Sequence, residues 1–76
     1  MHTGKLETSK RLQAILQLLT ERGAAGATTR EISERTGALN PATEVSALRH
    51  NGINVTCEYQ GRTDAGNKIY RYWLVA

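Results

Sequence analysis

The groups in this 76-residue chain that could support covalent chemistry are two histidines, one cysteine and several hydroxyls. Their spacing argues against such chemistry. Ser9, Ser33 and Ser46 stand at no recognised motif distance from a His and an Asp, and Asp64, the one aspartate, falls in a polar stretch. No nucleophile, base and orienting acid are thereby assembled, and no enzyme is expected. His2, His50 and Cys57 are scattered rather than set at ligand spacing, so no metal, cofactor or small-molecule ligand is expected. Cys57 has no disulfide partner in the chain, which fits a reducing compartment, and its apolar strand neighbours mark it as a small core hydrophobe. What remains is hydrogen bonding and charge. Asn40, Thr43, Ser46, Arg49 and His50 fall within one short segment, Thr28 and Thr29 precede it, and Arg62, Lys68 and Arg71 follow it.

The elements that must position these groups are legible from periodicity and caps. From Ser9 to Arg22, Leu12, Ile15, Leu16 and Leu19 recur at helical spacing, with Thr8 or Ser9 as cap and Gly23 as stop. Gly23 to Ala27 reads as a flexible connection. Thr28 followed three residues later by Glu31 forms a capping box that opens a second helix, Thr29 to Thr36, anchored by Ile32 and ended by Gly37. Asn40 as N-cap and Pro41 at the first helical position open a third helix that runs to His50 and stops at Asn51-Gly52. Val45 and Leu48 are its core anchors, with Ala42 on the same side. After Gly52 the period changes to two. Ile53, Val55, Cys57 and Tyr59 alternate with polar residues, Gln60 to Asn67 reads as a hairpin loop, and Lys68 to Val75 forms the partner strand. Tyr70, Tyr72 and Leu74 are expected on its inner face, and Trp73 in a second hydrophobic layer or a dimer contact. Residues 1–8 show no periodicity and read as a flexible arm, leaving 9–76 as one domain.

Three helices followed by a two-stranded β-hairpin form an α+β order that resembles a winged helix-turn-helix. The segment Thr28-Thr29-Arg30-Glu31-Ile32-Ser33-Glu34-Arg35-Thr36-Gly37 resembles the positioning helix and turn of many bacterial helix-turn-helix proteins. Val45, Leu48-Arg49, Gly52, Ile53 and Val55 fill a pattern similar to that of small winged helix-turn-helix proteins common in bacteriophages and prophages. Tyr70-Arg71-Tyr72-Trp73-Leu74 is similar to the closing strand of that family. The resemblance implies double-stranded DNA as partner and a small transcriptional regulator or phage accessory factor as role, with homodimer formation or a partner protein as the other possibility.

A ten-residue helix fits the B-DNA major groove. Stepping about 100° per residue from Val45 at the centre of the buried side sets Asn40, Thr43, Ala47 and His50 opposite it, flanked by Glu44 and Ser46. Asn40 and Thr43 then suit base edges or phosphates, Ala47 a close approach or a thymine methyl, and His50 the backbone. Arg49 falls at the buried edge, which suits a packed stem and a phosphate or structural role for its guanidinium. Thr28 and Thr29 could hold a phosphate at a helix N-terminus, and Arg62, Lys68 and Arg71 could touch backbone or minor groove from the wing. Glu44 departs from the neutral or basic residue that the resemblance suggests there, and would repel phosphates unless it accepts from a cytosine amino group.

Composition sets the outer bounds. One thin core is all that a chain of this length can build. No apolar run approaches the roughly 20 residues needed to span a bilayer, and the start of the chain lacks the apolar core of a secretory signal, so the cytoplasm is expected. A net charge of +3 with a pI near 9.4 favours polyanionic partners only mildly.

Overall fold

The computed structural model describes residues 9–75; the segment 1–8, read above as an arm, lies outside them. Three helices pack over a three-stranded antiparallel sheet. The elements in chain order are α1 (Lys10–Arg22), a 3-10 turn (Gly23–Ala25), β1 (Ala27–Thr28), α2 (Thr29–Thr36), α3 (Pro41–His50), β2 (Val55–Arg62) and β3 (Lys68–Leu74). The strand order is β1-β3-β2.

The caps form as their residue types require. Ser9 Oγ accepts from the Leu12 amide at 3.2 Å. Thr28 Oγ1 accepts from the Glu31 amide while the Glu31 carboxylate accepts from the Thr28 amide, closing the capping box. Asn40 Oδ1 accepts from the Thr43 amide, with Pro41 at the start of α3. The core gathers Leu12, Ile15, Leu18 and Leu19 of α1, Ile32 of α2, Val45 and Leu48 of α3, and Val55 and Tyr72 of the sheet. Leu18 is buried and Leu16 only half-buried, because α1 is packed by both α2 and α3 as well as by the sheet, which widens and turns its apolar stripe.

The expected two-stranded hairpin is a three-stranded sheet. The supposed flexible connection contains the 3-10 turn and β1, whose Ala27 and Thr28 pair with Tyr72 and Arg71. A two-residue strand is too short to show any period. The backbone admits it through Gly26, whose φ is +66° and where a Cβ would fall on the Tyr72 carbonyl oxygen. Beyond Thr28 the ladder continues through a side chain, since the Thr29 hydroxyl donates to the Tyr70 carbonyl at 3.2 Å and accepts from the Tyr70 amide at 3.0 Å.

The hairpin is also longer than expected. β2 continues past Tyr59 to Arg62 because a bulge between Tyr59 and Gly61 accommodates Gln60, with Gly61 at φ +120°. The turn is 63–67, closed by the Gly66 amide on the Thr63 carbonyl.

Tyr72 is buried, with Tyr70 and Leu74 half-buried against the core, so the inner face of β3 is as expected. Cys57 is a correction: it pairs with Tyr72 but is exposed. It lies on the edge strand, and the helices that cover Tyr72 and Val55 leave it open. On the opposite face the Arg71 guanidinium lies 4.5 Å over the Trp73 ring, so Trp73 is covered by the chain itself.

Candidate nucleic-acid interface

The capped start of α3 and its stop at Asn51 hold the helix where the sequence places it, but its buried face is turned. Pro41, Val45, Ala47 and Leu48 are buried and Glu44 is half-buried, whereas Ala42, Thr43, Ser46, Arg49 and His50 are exposed. At 100° per residue the covered arc is centred between Glu44 and Leu48 rather than on Val45. The outward stripe is therefore Ala42, Ser46, His50 and Thr43, with Arg49 at one margin. Two expectations are corrected: Ala47 joins the core at 9% exposure and cannot approach a base, and Ala42 faces out. The cause is α1, which covers the Glu44 side of α3, and Arg11 Nε of α1 lies 3.9 Å from Glu44 Oε2.

That contact changes what Glu44 does. Its carboxylate points back to an arginine on the neighbouring helix, away from the outward stripe. Two further carboxylates also face arginines of other elements. Glu31 meets Arg22 at 2.8 Å and Glu58 meets Arg71 at 3.7 Å. The Thr28 amide, and then the Arg22 guanidinium, hold the Glu31 carboxyl below the usual carboxylate range. Among the described residues Arg30, Lys68 and Arg62 enter no ion pair and are exposed, although Arg62 donates to the Gly66 carbonyl at 3.3 Å.

The remaining predicted residues divide clearly. Asn40 and Thr43 are exposed beside each other at the start of α3, and Ser46 and His50 continue their side of the helix. Thr28 is occupied by the capping box and Thr29 by the β3 backbone, so neither hydroxyl is set out for a phosphate. Arg71 is engaged on the Ala24 and Ala25 carbonyls as well as on Glu58 and Trp73. Arg49 spends its Nε and Nη2 donors on the Val55 carbonyl at 3.0 and 2.9 Å. Lys68 lines an open cleft of about 290 Å³ between α2 and the hairpin turn, with Thr29, Arg30, Ser33, Glu34, Thr63 and Asn67.

Arg30 is the cation that sequence reasoning missed. The signal was present, because Arg30 lies two residues before Ile32, about 200° away from the one core anchor of α2. Comparison with protein-family models, curated proteins and solved structures finds no match for this chain. Among the described residues no helix is long and apolar enough to cross a membrane.

Proposed function

We propose that the chain is a winged helix-turn-helix module that binds double-stranded DNA, with α3 as the major-groove helix and the β2–β3 hairpin as the wing. The observation that carries this reading is the outward side of α3. Ala42, Thr43, Ser46 and His50 make a stripe of small and hydrogen-bonding side chains without a carboxylate, and the neighbouring Glu44 is drawn to Arg11. Such a surface suits base edges, while Arg30, Arg62 and Lys68 suit phosphates. The bound element would be an operator of a small regulator or a site used by a phage accessory factor.

The test is binding of a fluorescent duplex over a range of salt. Three phosphate contacts predict that log K falls against log salt with a slope of about −3. Ser46→Glu sets a carboxylate in the middle of the stripe and should reduce affinity at least tenfold, while stability, at an exposed site, stays within about 0.5 kcal/mol. Salt-independent binding, or full affinity in the Ser46→Glu variant, overturns the reading.

One observation favours a protein partner instead. Leu39, in the turn before α3, is 95% exposed, the most exposed large apolar side chain among the described residues, and would lose that exposure in contact with another chain. Sedimentation over concentration tests this, with Leu39→Ser expected to abolish any self-association.

A further inference from the structure

The edge of β2 is defined by its hydrogen bonds. The Val75 amide donates to the Asn54 carbonyl at 3.1 Å, and Val55 stands opposite Leu74. In an antiparallel ladder this makes positions 54, 56 and 58 the bonded pairs, so the backbone groups of Val55, Cys57 and Tyr59 point away from β3 along the open edge. Arg49, in the last turn of α3, reaches that edge. Its Nε and Nη2 both donate to the Val55 carbonyl, and Nη2 lies 3.9 Å from Cys57 Sγ. A planar guanidinium fork on one carbonyl is a directional contact that an ammonium does not reproduce.

We infer that Arg49 is a positioning residue that sets the angle at which the hairpin leaves α3, rather than a residue that contacts DNA; this rests on the DNA-binding reading above. Two features of the geometry support it. First, the edge of the guanidinium formed by Nε and Nη2 is spent on Val55, so side-on pairing with a guanine or a phosphate would require the clamp to open, and end-on pairing through Nη1 and Nη2 would have to give up the contact of Nη2 with Cys57. Secondly, the hairpin is a lever. From Val55 to Arg62, β2 spans roughly 23 Å at about 3.3 Å per residue, so a 10° error at its base displaces the tip by about 4 Å. That displacement is enough to separate Arg62 and Lys68 from phosphates that α3 holds in register. The far side of the hairpin is already fixed to α2 through Thr29 and Tyr70. Arg49 supplies the corresponding tie on the α3 side.

The experiment compares the full chain with Arg49→Lys, Arg49→Gln and, as a phosphate-contact control, Arg62→Gln. Duplex affinity is measured across salt, and amide hydrogen exchange is measured without DNA. Arg49→Lys keeps the charge but is expected to lose affinity about tenfold with the salt slope unchanged, and Arg49→Gln to behave alike. Arg62→Gln should make the slope shallower by about 0.9. In the absence of DNA, the Thr56 and Glu58 ladder amides should exchange at least tenfold faster in both Arg49 variants, while the α1 amides keep their protection and so report an intact fold. Full affinity in Arg49→Lys, a slope shallower by about 0.9 in Arg49→Gln, or unchanged exchange at Thr56 and Glu58 overturns the inference. If the native chain binds no duplex, the function proposed above fails, and the exchange measurement alone decides the clamp: faster exchange supports it and unchanged exchange refutes it.

Discussion

Gly26→Ala tests the short strand that joins the helices to the hairpin. Gly26 has φ +66° and ψ −163°, a region that side chains other than hydrogen reach at a cost of about 1–3 kcal/mol. An added Cβ would also fall on the Tyr72 carbonyl oxygen and lie 3.1 Å from Trp73 Cβ. To clear both, β1 must withdraw from β3, which removes the Ala27–Tyr72 pairing at about 1 kcal/mol for each of its two hydrogen bonds. The sum is about 3–5 kcal/mol, a large share of the roughly 4–11 kcal/mol expected for a domain of this length. Gly23→Ala is the matched control. Its φ is +57° and no atom lies within 4 Å of the position of the added carbon, so it carries the conformational cost without the collision. Urea unfolding followed by Trp73 fluorescence and by far-ultraviolet circular dichroism should show Gly26→Ala less stable than Gly23→Ala by about 2 kcal/mol. Equal stabilities within about 0.5 kcal/mol would refute the account of β1 as a strand locked by close backbone approach.

Three further outcomes follow from the same geometry. Glu31→Gln removes the Arg22 ion pair and weakens the capping box, and should cost about 1 kcal/mol at neutral pH. Because the folded carboxyl titrates below its ordinary value, the stability it supplies is present above the unfolded pKa and is lost as pH falls through the folded one. Acid unfolding curves of the native chain should therefore be steeper than those of the variant in that window, and coincident curves would exclude the effect. Cys57, being exposed, should react with a thiol reagent in the native protein within about tenfold of its rate in urea; strong protection would return it to the core. Leu39→Ser should leave the unfolding midpoint unchanged to within about 0.5 kcal/mol of stability, since the side chain is 95% exposed; a larger loss in urea titration would mean that the turn packs on the body.

The elements whose signals are local were legible in the sequence. Asn40-Pro41 and Asn51-Gly52 bound α3 where the structure has it, and Thr28 with Glu31 forms the capping box. The features that escaped depend on partners distant in the chain. β1 is two residues long and exists because Tyr72 and Arg71 offer it a ladder. Alternation assigned Cys57 to the inner face of the sheet correctly, but how far the helices extend over that face is not encoded in an alternating pattern. The turned face of α3 has the same origin, since Val45 and Leu48 are core residues on any wheel and the contact with α1 decides on which side of them the cover extends. Arg49 was readable as an edge residue, but its partner is a backbone carbonyl on a strand whose edge position only the sheet order reveals.

Glu44 shows why charge placement weighs more here than net charge. The sequence offers only +3, and a carboxylate within the candidate recognition helix counts against polyanion binding. In the fold each of Glu31, Glu44 and Glu58 faces an arginine of another element: Arg22 of α1, Arg11 of α1 and Arg71 of β3. Exposed pairs of this kind contribute only about 0–1 kcal/mol each, so stability is a weak account of their arrangement. Their larger effect is on the field outside the protein. A carboxylate matched by an arginine at 2.8–3.9 Å presents a dipole to a distant phosphate instead of a charge. Arg30, Arg62 and Lys68, which have no such partner among the described residues, keep their full charge. Among the carboxylates outside these pairs, Glu34 is exposed in the same cleft as Arg30 and Lys68 and limits this benefit there. Replacing Glu34 by Gln should therefore strengthen duplex binding more than replacing Glu44, which is half-buried on the α1 side of α3 and whose removal unmasks Arg11 there rather than at the outward stripe. The opposite ranking in a binding titration would show that the ion pair with Arg11 does not hold Glu44 out of the interface.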